Sequence, residues 1–316
     1  LLPDVRSFEP TYLLGVPRVF EKVYNAASRK AGMGWKGRLF LKAAESARDW
    51  SRMQQAGEKP TMKQTAEHLS YEASVYHTVR GALGPRIRYV ACGGAPLDVS
   101  LAHFFNGIGL PMIQGYGMTE TAAPMIVNWQ NANRVGSVGK PGPGMGVRTD
   151  DDGELQVMGP NVFLGYYKNP EKTAEVKMPD GWLRTGDLGA IDDDGFVYIT
   201  GRKKDIIVRG GENISSREVE DIVLEYPGVR EAAVVAMPDE RLGERSCACV
   251  SMRPGAPAMH LTDLVAFFDG RRVAKYKFPE YLVVLDALPR TSSGKLQKFA
   301  LARMVRERVA AGQPSD

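Results

Sequence analysis

Ile87-Arg88-Tyr89-Val90-Ala91 is an apolar, β-rich run that stops on Cys92-Gly93-Gly94-Ala95-Pro96, and the architecture follows from that passage. A short strand ending on a glycine pair and a proline predicts a tight turn at its carboxyl end. Leu97 to Phe105 then repeats apolar residues at helical spacing, and Pro111 to Gln114 reads as the next strand. Strand, Gly-rich turn, helix and strand in that order predict a parallel α/β sheet with functional loops at the carboxyl ends of its strands.

Upstream, residues 1–85 read as mostly helical. Arg38 to Met53 sets Leu39, Phe40, Ala43, Ala44, Ala47 and Trp50 on one stripe, which predicts an amphipathic helix packed on its own domain rather than laid on a membrane. Downstream, Asp151-Asp152-Gly153 and Asp193-Asp194-Gly195 predict two hairpin turns, ahead of strands Glu154 to Met158 and Phe196 to Thr200. The texture changes again after Gly201. Asp205 to Val208 reads as a strand, and Ser215-Ser216-Arg217-Glu218 as a capping box opening a helix through Leu224. Ala232 to Met237 and Tyr281 to Leu285 are further strands, Lys298 to Val309 a last helix, and the closing six residues a frayed tail. A length of 316 residues suits about two domains at roughly 150 residues each, divided here as 1–200 and 201–316.

Composition excludes several classes. Hydrophobic residues at 43% and charged residues at 25% fit a chain with a buried core, not a disordered or coiled-coil protein. No apolar run reaches membrane-spanning length. Cys92, Cys247 and Cys249 cannot form a disulfide framework, and four scattered histidines give no metal-site spacing. A reducing cytoplasm is the expected location. The net charge of +4 divides as +6, −5 and +3 over residues 1–100, 101–200 and 201–316. No dense basic face with interleaved aromatics is seen, so no nucleic-acid partner is expected. Contact of the basic first hundred residues with a membrane surface stays open. Leu1-Leu2-Pro3-Asp4 lacks the pattern of a secretory leader, and the start without Met inside a structured segment predicts a fragment of a longer chain.

Four constellations carry chemistry. Gln114-Gly115-Tyr116-Gly117-Met118-Thr119-Glu120 lets backbone approach a ligand, offers a ring face, and sets a hydroxyl and a metal-capable acid beside it. Arg184-Thr185-Gly186-Asp187 places an acid after a glycine turn, where it can accept bonds from ribose hydroxyls. Gly201-Arg202-Lys203-Lys204-Asp205 and Arg209-Gly210-Gly211-Glu212 cluster cations beside a glycine pair, which suits a polyanion. Pro289-Arg290-Thr291-Ser292-Ser293-Gly294-Lys295 delivers a lysine on a Ser/Gly loop without the P-loop spacing. Each also has a plain reading as a tight turn or a solvated hairpin.

Together, in this order, these blocks and Gly159-Pro160-Asn161-Val162-Phe163-Leu164-Gly165-Tyr166 resemble the adenylate-forming acyl-CoA synthetases, specifically fatty-acid ligases. The resemblance implies an α/β large N-terminal domain, present in part, plus a small α+β C-terminal lid domain. It implies ATP-dependent activation of a fatty acid to acyl-adenylate and transfer to coenzyme A. Gly93, Gly94, Ala95 and Pro96 would then line the adenine pocket and Tyr116, beside Gly117, would stack on the base. Thr119 would touch the α-phosphate, Glu120 would hold Mg²⁺, Asp187 would bind the ribose hydroxyls and Arg202 the ribose and phosphate side. Lys295 would be the adenylation lysine, Lys204 the hinge, and Gly210-Gly211 the segment swung towards pantetheine. The family's phosphate-clamping loop is not in these residues, so the chain alone is expected to bind AMP better than it turns over. The opening resembles long-chain ligases and Arg209 to Ser216 medium-chain or aryl ones. Two alternatives stay open: an acyl-AMP ligase or adenylation domain that loads a carrier protein, and a non-catalytic nucleotide-binding remnant.

Overall fold

Residues 2–122, 124–291 and 295–310 are described by the structure, a computed structural model. The loop residues Ser292, Ser293 and Gly294 and the six-residue tail 311–316 lie outside the described residues. Two compact units result: residues 1–148, 156–184 and 191–198, and residues 149–155, 185–190 and 199–316. The second unit resumes at Ile199, close to Gly201, but it also takes in the turns around Gly153 and Gly186.

The first unit contains helices α1 (Leu2–Phe8), α2 (Pro17–Ala31), α3 (Trp35–Ala56), α4 (Met62–Tyr71), α5 (His77–Gly81), α6 (Val99–Gly107) and α7 (Pro170–Val176). Its sheet runs β1 (Tyr12–Gly15), β2 (Tyr89–Cys92), β3 (Met112–Tyr116), β4 (Ile126–Val127), β5 (Lys140–Pro141) in spatial order. β1, β2 and β3 are parallel, as the strand–turn–helix–strand order predicts. β4 and β5 then return antiparallel, so the sheet is mixed rather than purely parallel. α6 starts two residues later than its apolar pattern because Asp98 is the cap, its Oδ1 accepting the Leu101 N–H at 2.6 Å.

The α3 stripe is structural. Phe40, Ala43, Ala44 and Ala47 are buried and face α6, whose Phe104 and Phe105 are also buried. Small residues let the two helices come close. A Cβ at Gly107 would stand 1.8 Å from the Ala47 carbonyl oxygen. Gly107→Ala should therefore destabilise by at least ~1–3 kcal/mol through overpacking, against the ~1 kcal/mol that alanine ordinarily gains in a helix. A fall in the urea midpoint checks this; an unchanged or raised midpoint would show that the helices can part without cost.

β6 (Gly146–Thr149), β7 (Glu154–Met158), β8 (Leu183–Ile191) and β9 (Val197–Arg202) form a four-stranded sheet in chain order. Both predicted Asp-Gly turns form, each led by the aspartate one residue ahead of the triplet. Gly153 N–H donates to the Asp150 carbonyl at 3.0 Å, and Gly195 N–H to that of Asp192 at 2.8 Å.

The second unit's sheet comprises β10 (Ile206–Arg209), β11 (Glu212–Ser215), β12 (Val229–Asp239), β13 (Gly243–Met252) and β14 (Tyr281–Val284). Its helices are α8 (Ser216–Leu224), α9 (Leu261–Asp269) and α10 (Lys298–Ala310). Period-two alternation divides the core. Val234, Ala248 and Val250 join Val219, Val223, Leu264 and Phe268 of α8 and α9, whereas Ala233, Val235, Cys247 and Cys249 join Leu301 and Val305 of α10. All three cysteines are buried free thiols, and burial pushes Cys92 up to about 12, so packing is their role. The capping box forms by half. Ser215 Oγ accepts the Glu218 N–H at 3.4 Å, but the Glu218 carboxylate takes Lys277 Nζ at 2.5 Å.

Candidate functional site

Parallel pairing of Cys92 with Gln114 sets the two glycine turns of the first unit side by side. Gly93 N–H donates to the Gly15 carbonyl at 3.3 Å, and a Cβ at Gly93 would meet the Gly115 carbonyl oxygen at 3.3 Å. Gly94 has φ +78°, a backbone that other residues rarely adopt. Ala95 and Pro96 complete this surface turn, while Tyr116 closes β3 and Gly117 is exposed beyond it. Thus the turn that opens at Gly93 lies beside Gly115, one residue ahead of the Tyr116–Glu120 block.

Thr119 and Glu120 lie on a single 3₁₀ turn, Thr119–Thr121, fixed from within. Met118 N–H donates to Thr121 Oγ1 at 3.0 Å, and the Thr121 hydroxyl donates to the Met118 carbonyl at 3.0 Å. The Gly159–Tyr166 block, given no role by its sequence, straps this turn down. Tyr166 OH donates to Glu120 Oε1 at 2.8 Å, Phe163 N–H to the Glu120 carbonyl at 2.7 Å, and Asn161 Nδ2 to the Thr121 carbonyl at 2.7 Å. The bond to Glu120, with partial burial second, raises the Tyr166 phenol above its ordinary value. Glu120 is half-buried and Thr119 exposed, so the acid is oriented yet accessible.

In the second unit the Thr-Gly-Asp turn is held by a residue that motif reading overlooks. Glu154 is 4% exposed, and its Oε1 accepts the Gly186 N–H at 2.9 Å. Thr185 Oγ1 donates to the Leu155 carbonyl at 2.7 Å and accepts the Asp187 N–H at 3.1 Å. Lys203 Nζ lies 3.2 Å from both Asp152 and Glu154, and those two carboxylates, Asp152 first, raise its pKa. Arg202 Nε meets Asp187 Oδ1 at 3.2 Å, so these two predicted residues are neighbours. The available signal was a charged residue heading a buried strand, directly after an Asp-Gly turn. Glu154→Ala should cost about 1–3 kcal/mol by orphaning the Gly186 N–H, because half-exposed Lys203 can regain water. Thermal melts of the variant and of Glu154→Gln check this, and Glu154→Gln, which keeps an acceptor for the Gly186 N–H, should cost clearly less.

The cation cluster is largely spoken for. Besides Arg202 and Lys203, Arg209 forms a two-pronged pair with Glu280 at 2.8 and 3.0 Å. Gly210 and Gly211, with φ +59° and +91°, make the two-residue turn between β10 and β11. Lys204 is exposed on the 3₁₀ turn between β9 and β10. Lys295 is exposed, and its loop is closed at the ends: Lys295 N–H donates to Thr291 Oγ1 at 3.0 Å and Thr291 N–H to the Lys295 carbonyl at 2.8 Å. Among the described residues no three His, Cys, Asp or Glu side chains converge as a metal cluster, and no helix is long and apolar enough to cross a membrane.

The chain belongs to the AMP-binding enzyme family. The family model matches residues 1–167, and the model of the AMP-binding enzyme C-terminal domain matches residues 218–295. A long-chain-fatty-acid–CoA ligase of Mycobacterium tuberculosis is 46% identical over 236 residues, covering 74% of this chain and 39% of the relative. The medium-chain fatty-acid–CoA ligase of Escherichia coli is 45% identical over 235 residues, covering 71% and 42%. The chain thus spans about two fifths of the length of these curated relatives. Among solved structures, ATP-bound MatB from Rhodopseudomonas palustris matches with a TM-score of 0.72 and 29% identity, over 97% of this chain and 52% of that one. The o-succinylbenzoate CoA synthetase of Bacillus subtilis, in complex with its acyl-adenylate intermediate, matches with a TM-score of 0.61 and 35% identity, over 69% and 46%.

Proposed function

We propose that the protein carrying this chain activates a fatty acid with ATP and transfers the acyl group to coenzyme A. The fatty-acid carboxylate attacks the α-phosphate of ATP and pyrophosphate leaves. The coenzyme A thiol then attacks the acyl carbonyl, and AMP leaves. The observation that carries this reading is the turn opening at Gly93 beside Gly115, one residue ahead of the Tyr116–Glu120 block, on adjacent parallel strands. The names of the similar ligases supply the fatty-acid class.

In this reading Gly93–Pro96 border the adenine, Tyr116 stacks on it beside Gly117, and Thr119 donates to the α-phosphate. Asp187 and Arg202 serve the ribose, with Arg202 reaching its phosphate side. Lys295 sits between the two anionic reactants. Residues 1–200 act as the nucleotide-binding portion and 201–316 as the lid, with Lys204 as its pivot and Gly210-Gly211 serving the pantetheine arm. Glu120 fits Mg²⁺, which takes one or two carboxylates alongside phosphate oxygens, and Tyr166 fixes the carboxylate for that purpose. Bound there, the ion would neutralise phosphate charge. The buried free thiols favour a reducing, cytoplasmic setting.

The test is ATP–pyrophosphate exchange by the natural gene product over fatty acids of graded length, followed by thioester assay with coenzyme A and with a holo-carrier protein. Fatty-acid-dependent exchange and a coenzyme A thioester are expected. Exchange with transfer to the carrier alone would replace this reading with carrier loading, and AMP binding without exchange would replace it with a nucleotide-binding remnant.

A further inference from the structure

The corner between α2 and α3 has a composition that its own stability does not call for. Residues 28–42 hold five cations and no carboxylate. Arg29 and Lys30 close α2, where positive charge favours the helix dipole. Lys36 and Arg38 stand at the start of α3, where the same dipole opposes them, and neither an acid in the first turn nor a side-chain cap compensates. Helix stability therefore explains only two of the five.

At the point of this corner are two large apolar side chains. Met33 is 100% and Trp35 65% exposed, and the Lys36 ammonium lies 5.6 Å from the Trp35 ring centroid. The corner is built tightly. Gly32 ends α2 at φ +72°, and a Cβ at Gly37 would stand 1.9 Å from the Gly32 carbonyl oxygen. Glycine at 37 lets the helices turn sharply enough to hold Met33 and Trp35 outward. Two exposed apolar side chains with exposed cations on both sides in the chain match a surface that is anionic outside and apolar beneath.

We infer that the α2–α3 corner docks the protein onto an anionic phospholipid bilayer, with Arg29, Lys30, Lys36 and Arg38 on the headgroups and Met33 and Trp35 in the headgroup–acyl boundary. Tryptophan favours that boundary, and basic residues near it gain from the negative surface potential. A nucleic acid or an acidic protein would use the cations but leave Met33 without a partner.

The test is co-sedimentation of the natural gene product with vesicles of phosphatidylcholine alone and of phosphatidylcholine with phosphatidylglycerol. Binding is expected on the phosphatidylglycerol vesicles and should weaken with salt. The triple variant Lys30→Glu, Lys36→Glu, Arg38→Glu should lower partitioning at least ~10-fold. Met33→Ser with Trp35→Ser should keep a salt-sensitive fraction and lose the salt-resistant one. Brominated lipids should quench wild-type tryptophan emission more than that of Trp35→Phe, a variant that keeps the apolar bulk and guards against misfolding of the others. No binding to phosphatidylglycerol vesicles, wild-type binding by the charge-reversed protein, or equal quenching of Trp35→Phe would each overturn the inference. So would self-association abolished by Met33→Ser, or tighter binding to an acidic protein or nucleic acid than to vesicles.

Discussion

Lys295→Ala in the natural gene product is expected to cut acyl-adenylate formation by about 10²–10³-fold, the usual loss when an oriented stabilising charge is removed. Coenzyme A transfer from supplied acyl-adenylate should stay within about twofold of the parent, since an interaction made in one transition state only is missed there alone. The asymmetry follows from charge. Adenylation brings a carboxylate against an already anionic phosphate, whereas the adenylate offered to the thiol is past that encounter. Holding the two anions in line is itself worth up to ~7–11 kcal/mol, and a lysine between them offsets the repulsion opposing that alignment. Lys295 is exposed, with its loop ends joined through Thr291, so truncation should alter stability by no more than ~0.5 kcal/mol. Pyrophosphate exchange and thioester formation from synthetic acyl-adenylate separate the half-reactions. Equal losses in both would remove Lys295 from the role.

The legible features were those whose cause is local. The α3 stripe, the Asp-Gly turns and the β2–turn–α6–β3 succession are set by side-chain period and by residues that fix backbone angles, all within a few positions. The return of β4 was not legible, because Ile126–Val127 is too short to carry a period and meets β3 only through Gly115 and Tyr116. At the site, Tyr116 stood out because Gly115 and Gly117 flank it, and Thr119 and Glu120 because a hydroxyl and an acid follow that turn at once. The bond that orients Glu120 did not, since Tyr166 lies 46 residues away. Glu154 was hidden in the same manner, 32 residues before Gly186. The partners of the cations in the 202–209 segment were equally hidden: their number suggests a polyanion, and Asp187, Asp152, Glu154 and Glu280 lie against three of them.

Lys298→Met should produce the largest stability change in the second unit, about 3–5 kcal/mol, the usual cost of stripping a buried charge of its partner. Lys298 is the first residue of α10, and its Nζ lies 2.6 Å from Glu220 Oε1, 2.8 Å from Ser216 Oγ and 3.8 Å from Asp205. Glu220 is 7% exposed on α8 and also accepts the Val234 N–H at 2.8 Å, so one carboxylate ties two helices to β12. An exposed pair would be worth ~0–1 kcal/mol; burial makes the difference. Burial raises the Glu220 pKa above its ordinary 4.5, with Lys298 pulling the other way. A raised folded pKa means that the folded state holds its proton longer, so this group's contribution is fully present below 4.5 and lost as pH rises through the folded value. Removing Lys298 should push that value higher. The gap between variant and wild type should therefore be widest at neutral pH and narrow on acidification, when Glu220 turns neutral. Glu220→Gln keeps an acceptor for Val234 and leaves Lys298 near Asp205, so it should cost less than Lys298→Met, and the double variant should cost less than the sum. Urea unfolding at neutral and mildly acidic pH measures all three. A pH-independent gap, or strict additivity, would show that Lys298 and Glu220 are not energetically coupled.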